Sequence, residues 1–135
     1  MIQDSGIAER RKIREFTDLL AWQEAHKLVL QVYRITRRFP KEELFGLSSQ
    51  MRRATISITS NIAEDFGRHG YKEKVQFYYL AQGSLTELKN QVIAGHDIGY
   101  LGVEDYGLLV EQLKVAHSLL QGLTSKTKTF LNHES

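Results

Sequence analysis

A chain of 135 residues suits one domain and is long enough to bury a core; 41% of it is apolar and 25% charged, ordinary proportions for a globular protein. It has no cysteine, which excludes disulfides, zinc thiolates and thiol nucleophiles. Net charge is only +2, but residues 1–74 hold 14 Lys/Arg against 10 Asp/Glu while residues 75–135 hold 4 against 6, so positive charge is skewed to the first half.

The first 15 residues are polar and aperiodic and read as a flexible basic arm, with the bundle domain expected over residues 16–131. "MIQDSGIAERRKIREF" lacks the apolar region of a secretory signal, and no run of about 18 apolar residues follows. The expected setting is cytoplasmic, away from membranes. From Asp18, a candidate N-cap, apolar residues recur at Ala25, Leu28, Val32, Ile35 and Phe39, the spacing of an amphipathic helix. Pro40, the single proline, stops it, and "KEELFG" reads as a short turn.

The next stretch poses a choice. In "RRATISITSNIAE", Ala54, Ile56 and Ile58 alternate with Thr55, Ser57 and Thr59, the period of a half-buried strand. That alternation lasts about six residues, whereas Leu47, Met51, Ala54, Ile58, Ile62 and Phe66 hold helical spacing over about twenty. The longer pattern predicts a helix over 48–66, with Ser48 as N-cap and Gly67 as C-cap. Ile56 and Ala63 then lie opposite Ile58, so this helix is either central in a bundle or shared with another subunit. A third helix is expected from Lys72 to Ile98, with the stripe Phe77, Ala81, Leu85, Leu88 and Val92, ended by Gly99. A fourth starts near Glu104, its acids suiting the helix dipole, with a stripe running from Tyr106 through Leu113 and Leu120 to Phe130. Four helices on short links predict an all-α, antiparallel up-down-up-down four-helix bundle.

Familiar chemistry finds no foothold. The histidines, at 26, 69, 96, 117 and 133, form no i, i+4 pair and no Glu-x-x-His, so no metal site is expected. Phosphate-cradling and nucleophile-elbow motifs are missing, so neither a cofactor nor an enzymatic activity is expected. Ser57, Thr59, Ser60 and Asn61 read as small side chains that let helices approach, their hydroxyls bonding back to helix carbonyls. Glu64 and Arg68 form an ordinary i, i+4 pair, although Arg53, Glu64 and Glu87 make an alternative buried interhelical ion network. The arginines carry the functional lead. Arg34, Arg37, Arg38 and Lys41 end the first helix, Arg52 and Arg53 begin the second, and Arg68, Lys72 and Lys74 gather at its far end. They read either as a solvated face or as a phosphate-backbone surface. Arg52 and Arg53 point about 100° apart, so one is expected to face solvent or a partner and the other a carboxylate.

The run from "FTDLLAWQEAHKL" through "RRFPKEELFGLSSQMRRATISITSNIAEDFGR" to "FYYLAQGSLTELKNQVIAGHDIGYL" resembles the four helix bundle protein family encoded in intervening sequences of bacterial 23S rRNA genes. The most specific matches are Phe39-Pro40, Gly46-Leu47, Gln50, Arg52-Arg53-Ala54, Ser57-Ile58, Asn61 to Glu64, Arg68, Ala81, Gly83-Ser84 and Glu87. Thr59 stands where the family often has proline, Asp65 where it usually has glycine, and Gly70 near a capping serine. The resemblance implies an antiparallel bundle that assembles as a homo-oligomeric ring, often of five subunits. A related branch, the accessory protein Avd of diversity-generating retroelements, is basic and binds nucleic acid and a reverse transcriptase. The expectation is therefore a non-enzymatic oligomer that binds RNA or DNA through Arg52, Arg53 and Arg68, with the neighbouring cations added on charge alone. The alternative is a protein-interaction adaptor, for example a reverse-transcriptase partner, that does not touch nucleic acid.

Overall fold

The computed structural model describes residues 12–134. Four helices carry it: α1 Leu20–Thr36, α2 Leu47–Phe66, α3 Tyr71–Ile98 and α4 Val103–Glu134. Short 3-10 turns, Phe16–Asp18 and Lys41–Glu43, precede α1 and α2. The basic arm expected over residues 1–15 lies largely outside the described residues, and the last helix runs three residues past the expected end at 131.

Pairwise contacts fix the topology. Arg38 meets Asp105 and Gln112 meets Glu24, so α1 and α4 run antiparallel. Ser57 meets Ser84 and Lys74 meets the Asp65 carbonyl, so α2 and α3 do too. His96 stacks on Tyr106 and Tyr71 on Phe130, which sets α3 against α4. The 3-10 turn before α1 touches α2, and each helix packs on two neighbours in the cyclic order α1, α2, α3, α4. This is the up-down-up-down bundle that the short links demand.

Most of each stripe read from the sequence lies in the core, but Phe130 is exposed, Phe66 and Phe77 are half-buried, and Tyr78 is buried where Phe77 was expected. Leu28, Val32, Met51, Ile58, Ile62, Leu88, Val92 and Leu109 are all fully buried and belong to one cluster. α2 is helical throughout, so the strand-like alternation is overruled: its β-branched residues cost tenths of a kcal/mol each, against the burial of a twenty-residue apolar face. Small side chains sit where α2 and α3 approach. The Ser57 and Ser84 hydroxyls meet at 2.7 Å, Asn61 donates to the Ser57 carbonyl at 2.9 Å, and Thr59 donates back to the Ile56 carbonyl at 3.0 Å.

Helix ends differ from expectation in instructive ways. Asp18 does not cap α1, which starts after Leu19; its carboxylate accepts the backbone N–H groups of Arg14 and Glu15 at 3.0 and 3.1 Å, holding the preceding turn. Ser48 does not cap α2. The helix starts at Leu47, whose N–H donates to the Glu43 carboxylate at 3.0 Å, while Ser48 is buried inside the first turn. The other Glu43 oxygen accepts the Tyr100 hydroxyl at 2.8 Å, tying the α3–α4 link to the start of α2. Gly67 ends α2 with φ −84°, so its glycine freedom is not used there. Gly99 does use it: φ is +104°, and the Tyr100 N–H reaches back to the Gly95 carbonyl at 2.9 Å.

Candidate nucleic-acid interface

The nine basic residues singled out in the sequence fall into two groups at opposite ends of α2. Arg52 and Arg68 are sixteen residues apart, about 24 Å along a helix, so they cannot serve one phosphate site. The first group is at the end of α1 and the start of α2. Arg34 and Arg37 are exposed on the last turn of α1 and just past it, and Lys41 is exposed on the following turn. Arg38 is engaged: it pairs with Asp105 and latches the end of α1 to the start of α4.

Arg52 and Arg53 are neighbours with different surroundings. Arg52 is half-buried; its Nε donates to the Thr36 hydroxyl at 2.9 Å, and its guanidinium lies 4.9 Å from the centre of the Tyr33 ring. Thr36 in turn donates to the Val32 carbonyl at 2.7 Å, so the acceptor is fixed in place. Among the described residues neither arginine faces a carboxylate, which corrects the sequence reading: a hydroxyl and an aromatic face do that work for Arg52. Arg53 is the one turned to solvent, bonded only to Ser49 on its own helix at 3.2 Å. Together with Tyr33, Phe45, Ile56 and Ser57 the two arginines line an open groove of about 750 Å³ that, among the described residues, no acid lines. Its apolar edge is exposed to an unusual degree: Phe45 is 92% and Leu44 51% accessible.

The second group is largely occupied. Arg68 pairs with Glu64 at 2.8 Å and lies 4.9 Å from the Phe77 ring centre; Lys74 donates to the Asp65 carbonyl at 3.2 Å. Lys72 alone is exposed there with no pairing among the described residues. The Arg53–Glu64–Glu87 network does not form within the chain. Arg53 and Glu64 are three helical turns apart, about 16 Å. All three are exposed, and Glu87 accepts only from Gln91, at 3.3 Å.

Beside this second end lies a carboxylate that the sequence reading noted only as a departure from a glycine. Asp65 is fully buried, and the Tyr78 hydroxyl faces its carboxylate. Burial raises its pKa above the usual carboxylate value, against the opposing pull of Tyr78, Lys74 and Arg68. Tyr33, Thr36 and Phe45 were also missed. Their signal was present: Tyr33 and Thr36 are three apart on one face of α1, and Phe45 is a large aromatic in a link too short to bury it.

The groove can offer guanidinium N–H donors and hydroxyls to an anion and ring faces to an apolar or planar group. Among the described residues no three His, Asp or Glu side chains converge as a metal cluster, and no helix is long and apolar enough to cross a membrane. His26 stacks on Trp22, and His96 meets the Leu101 carbonyl at 3.1 Å, both serving packing.

A comparison with curated proteins finds no match. Among solved structures, the chain is similar in fold to a Bacteroides thetaiotaomicron VPI-5482 protein described as of unknown function and from the S23 ribosomal protein family. The TM-score is 0.72 at 15% identity, covering 78% of this chain and 96% of that one. The family model described as "23S rRNA-intervening sequence protein" matches residues 17–122, which takes in α1 to α3 and most of α4. The chain therefore belongs to the 23S rRNA-intervening sequence protein family.

Proposed function

We propose that this chain is a non-enzymatic, self-associating bundle that binds the phosphate backbone of RNA or DNA through the basic end shared by α1 and α2. The supporting observation is the groove holding Arg52 and Arg53, lined by no acid among the described residues, with the exposed cations Arg34, Arg37 and Lys41 at the same end of the bundle. Arg52 is preorganised by Thr36 and Tyr33, which lowers the entropy lost when its remaining N–H groups meet a phosphate.

Self-association is supported by the outer face of α2. Ile56 is 41% exposed although it sits mid-helix, and Phe45 and Leu44 line the same groove. Contiguous apolar surface of this kind marks a protein contact. In a ring of copies, five being the number the family resemblance favours, each basic end repeats, and weak phosphate contacts combine into avidity. The same apolar surface favours the second reading, an adaptor that captures a protein such as a reverse transcriptase without binding nucleic acid.

Light scattering combined with RNA titration separates these. The expected mass is that of a multimer, reduced to a monomer by Ile56→Asp with Phe45→Ser while helical content is kept, and RNA binding weakens in the monomer. A wild-type monomer contradicts the ring. A multimer that binds no RNA at low salt leaves the adaptor reading.

A further inference from the structure

On the face opposite the arginine groove, α3 and α4 enclose a slot of about 290 Å³, close to the lower bound of about 300 Å³ for small-molecule sites. Val92, Ile93, Tyr106 and Val110 line one end of it. Lys89, Lys114 and His117 line the other: the antiparallel register that sets His96 on Tyr106 brings Lys89 level with Leu113 and Lys114, and His117 one turn further along α4. Among the described residues no acid lines the slot, and neither of its two lysines nor His117 has an ion pair or hydrogen bond. The Tyr106 wall is fixed, because its ring stacks on His96 at 4.0 Å and His96 is held by the Leu101 carbonyl.

We propose that this slot binds a small anionic amphiphile: a planar or short aliphatic body against Ile93, Tyr106 and Val110, with a carboxylate, sulfonate or phosphate head between Lys89 and Lys114. Two features select this ligand. Unpaired ammonium groups beside an apolar floor complement a molecule that is apolar at one end and negative at the other. The distance from Leu85 to Ile93, about 12 Å along α3, matches a two-ring body or a chain of about eight carbons rather than a folded partner, whose footprint needs about 800 Å² a side. The site is independent of the nucleic-acid reading, since neither Lys89 nor Lys114 belongs to the arginine groove.

The test titrates the full chain with 2-naphthoate and with neutral 2-naphthamide, followed by amide NMR. Naphthoate is expected to saturate, with shifts concentrated at Val92, Ile93, Tyr106 and Val110. Lys89→Gln with Lys114→Gln, both exposed and so compatible with folding, is expected to weaken naphthoate about tenfold while naphthamide stays within about twofold. Shifts scattered over the surface overturn the proposal. So do unchanged naphthoate affinity in the double variant, equal loss for both probes, and absence of binding because a sister copy covers the slot.

Discussion

Arg52 and Arg53 are adjacent in the chain yet belong to different environments, and their substitutions separate accordingly. Arg52→Ala loses a side-chain hydrogen bond and a cation–π contact and is expected to cost about 1–2 kcal/mol in urea denaturation. Arg53→Ala, on an exposed side chain, is expected to stay within about 0.5 kcal/mol of wild type. Arg52→Lys keeps the charge without the planar fork and falls short of rescue. Which arginine turns inward was not legible in the sequence, because the partners Tyr33 and Thr36 come from another helix and neither is an acid. Asp65 makes the second prediction at this scale. Its folded pKa is raised above the ordinary 3.8, so the folded state holds the proton more tightly and stability falls as pH rises through the folded value. Asp65→Asn is therefore expected to raise the melting temperature at pH 7, with the gain shrinking as the pH is lowered toward 4. A gain that persists unchanged in acid would show that the buried charge is not its cause.

Helix α2 shows how far local pattern reaches. Its strand-like alternation is real, but only about six residues long, and a core formed by Met51, Ala54, Ile58 and Ile62 outweighs it. The apolar stripes of all four helices were legible because burial repeats every three or four residues. Their ends were less so. The N-cap position of α2 is Gly46, which has no side chain to offer; the Leu47 N–H is met instead by Glu43, four residues earlier and outside the Ser/Thr/Asp/Asn set that a sequence reading looks for. The Glu43 pKa is lowered, first by the Leu47 N–H and then by the Tyr100 hydroxyl. The stability it contributes is thus present above the ordinary value of 4.5 and lost as pH falls through the lower folded value. Glu43→Gln is expected to melt below wild type at pH 7, and the two curves should converge in strong acid. In the core, Leu88→Ala should cost about 2–5 kcal/mol by chemical denaturation, because Leu88 is fully buried where the surrounding helices meet.

For the whole molecule, the bundle and the division of its cations between the two ends of α2 were legible; which of those cations are already engaged was not. Nine basic residues close in sequence divide into an end with exposed charge and an end where Glu64 and the Asp65 carbonyl occupy Arg68 and Lys74. The sequence shows the two groups but not their engagement, because Lys74 meets a backbone carbonyl of α2 and Arg38 an acid of α4. Ile56, placed by the sequence opposite Ile58, faces outward within one chain, in the groove that Phe45 also lines. Binding to a phosphate backbone makes a quantitative demand, since each neutralised phosphate releases condensed counterions. The most direct measurement is RNA affinity across a range of salt concentrations, for wild type and for a variant carrying Arg34→Glu, Arg37→Glu and Arg53→Glu. The prediction is a linear fall of log affinity with log salt, whose slope is smaller in the variant by about two to three. A wild-type affinity that ignores salt, or a slope the three substitutions leave unchanged, would contradict the account.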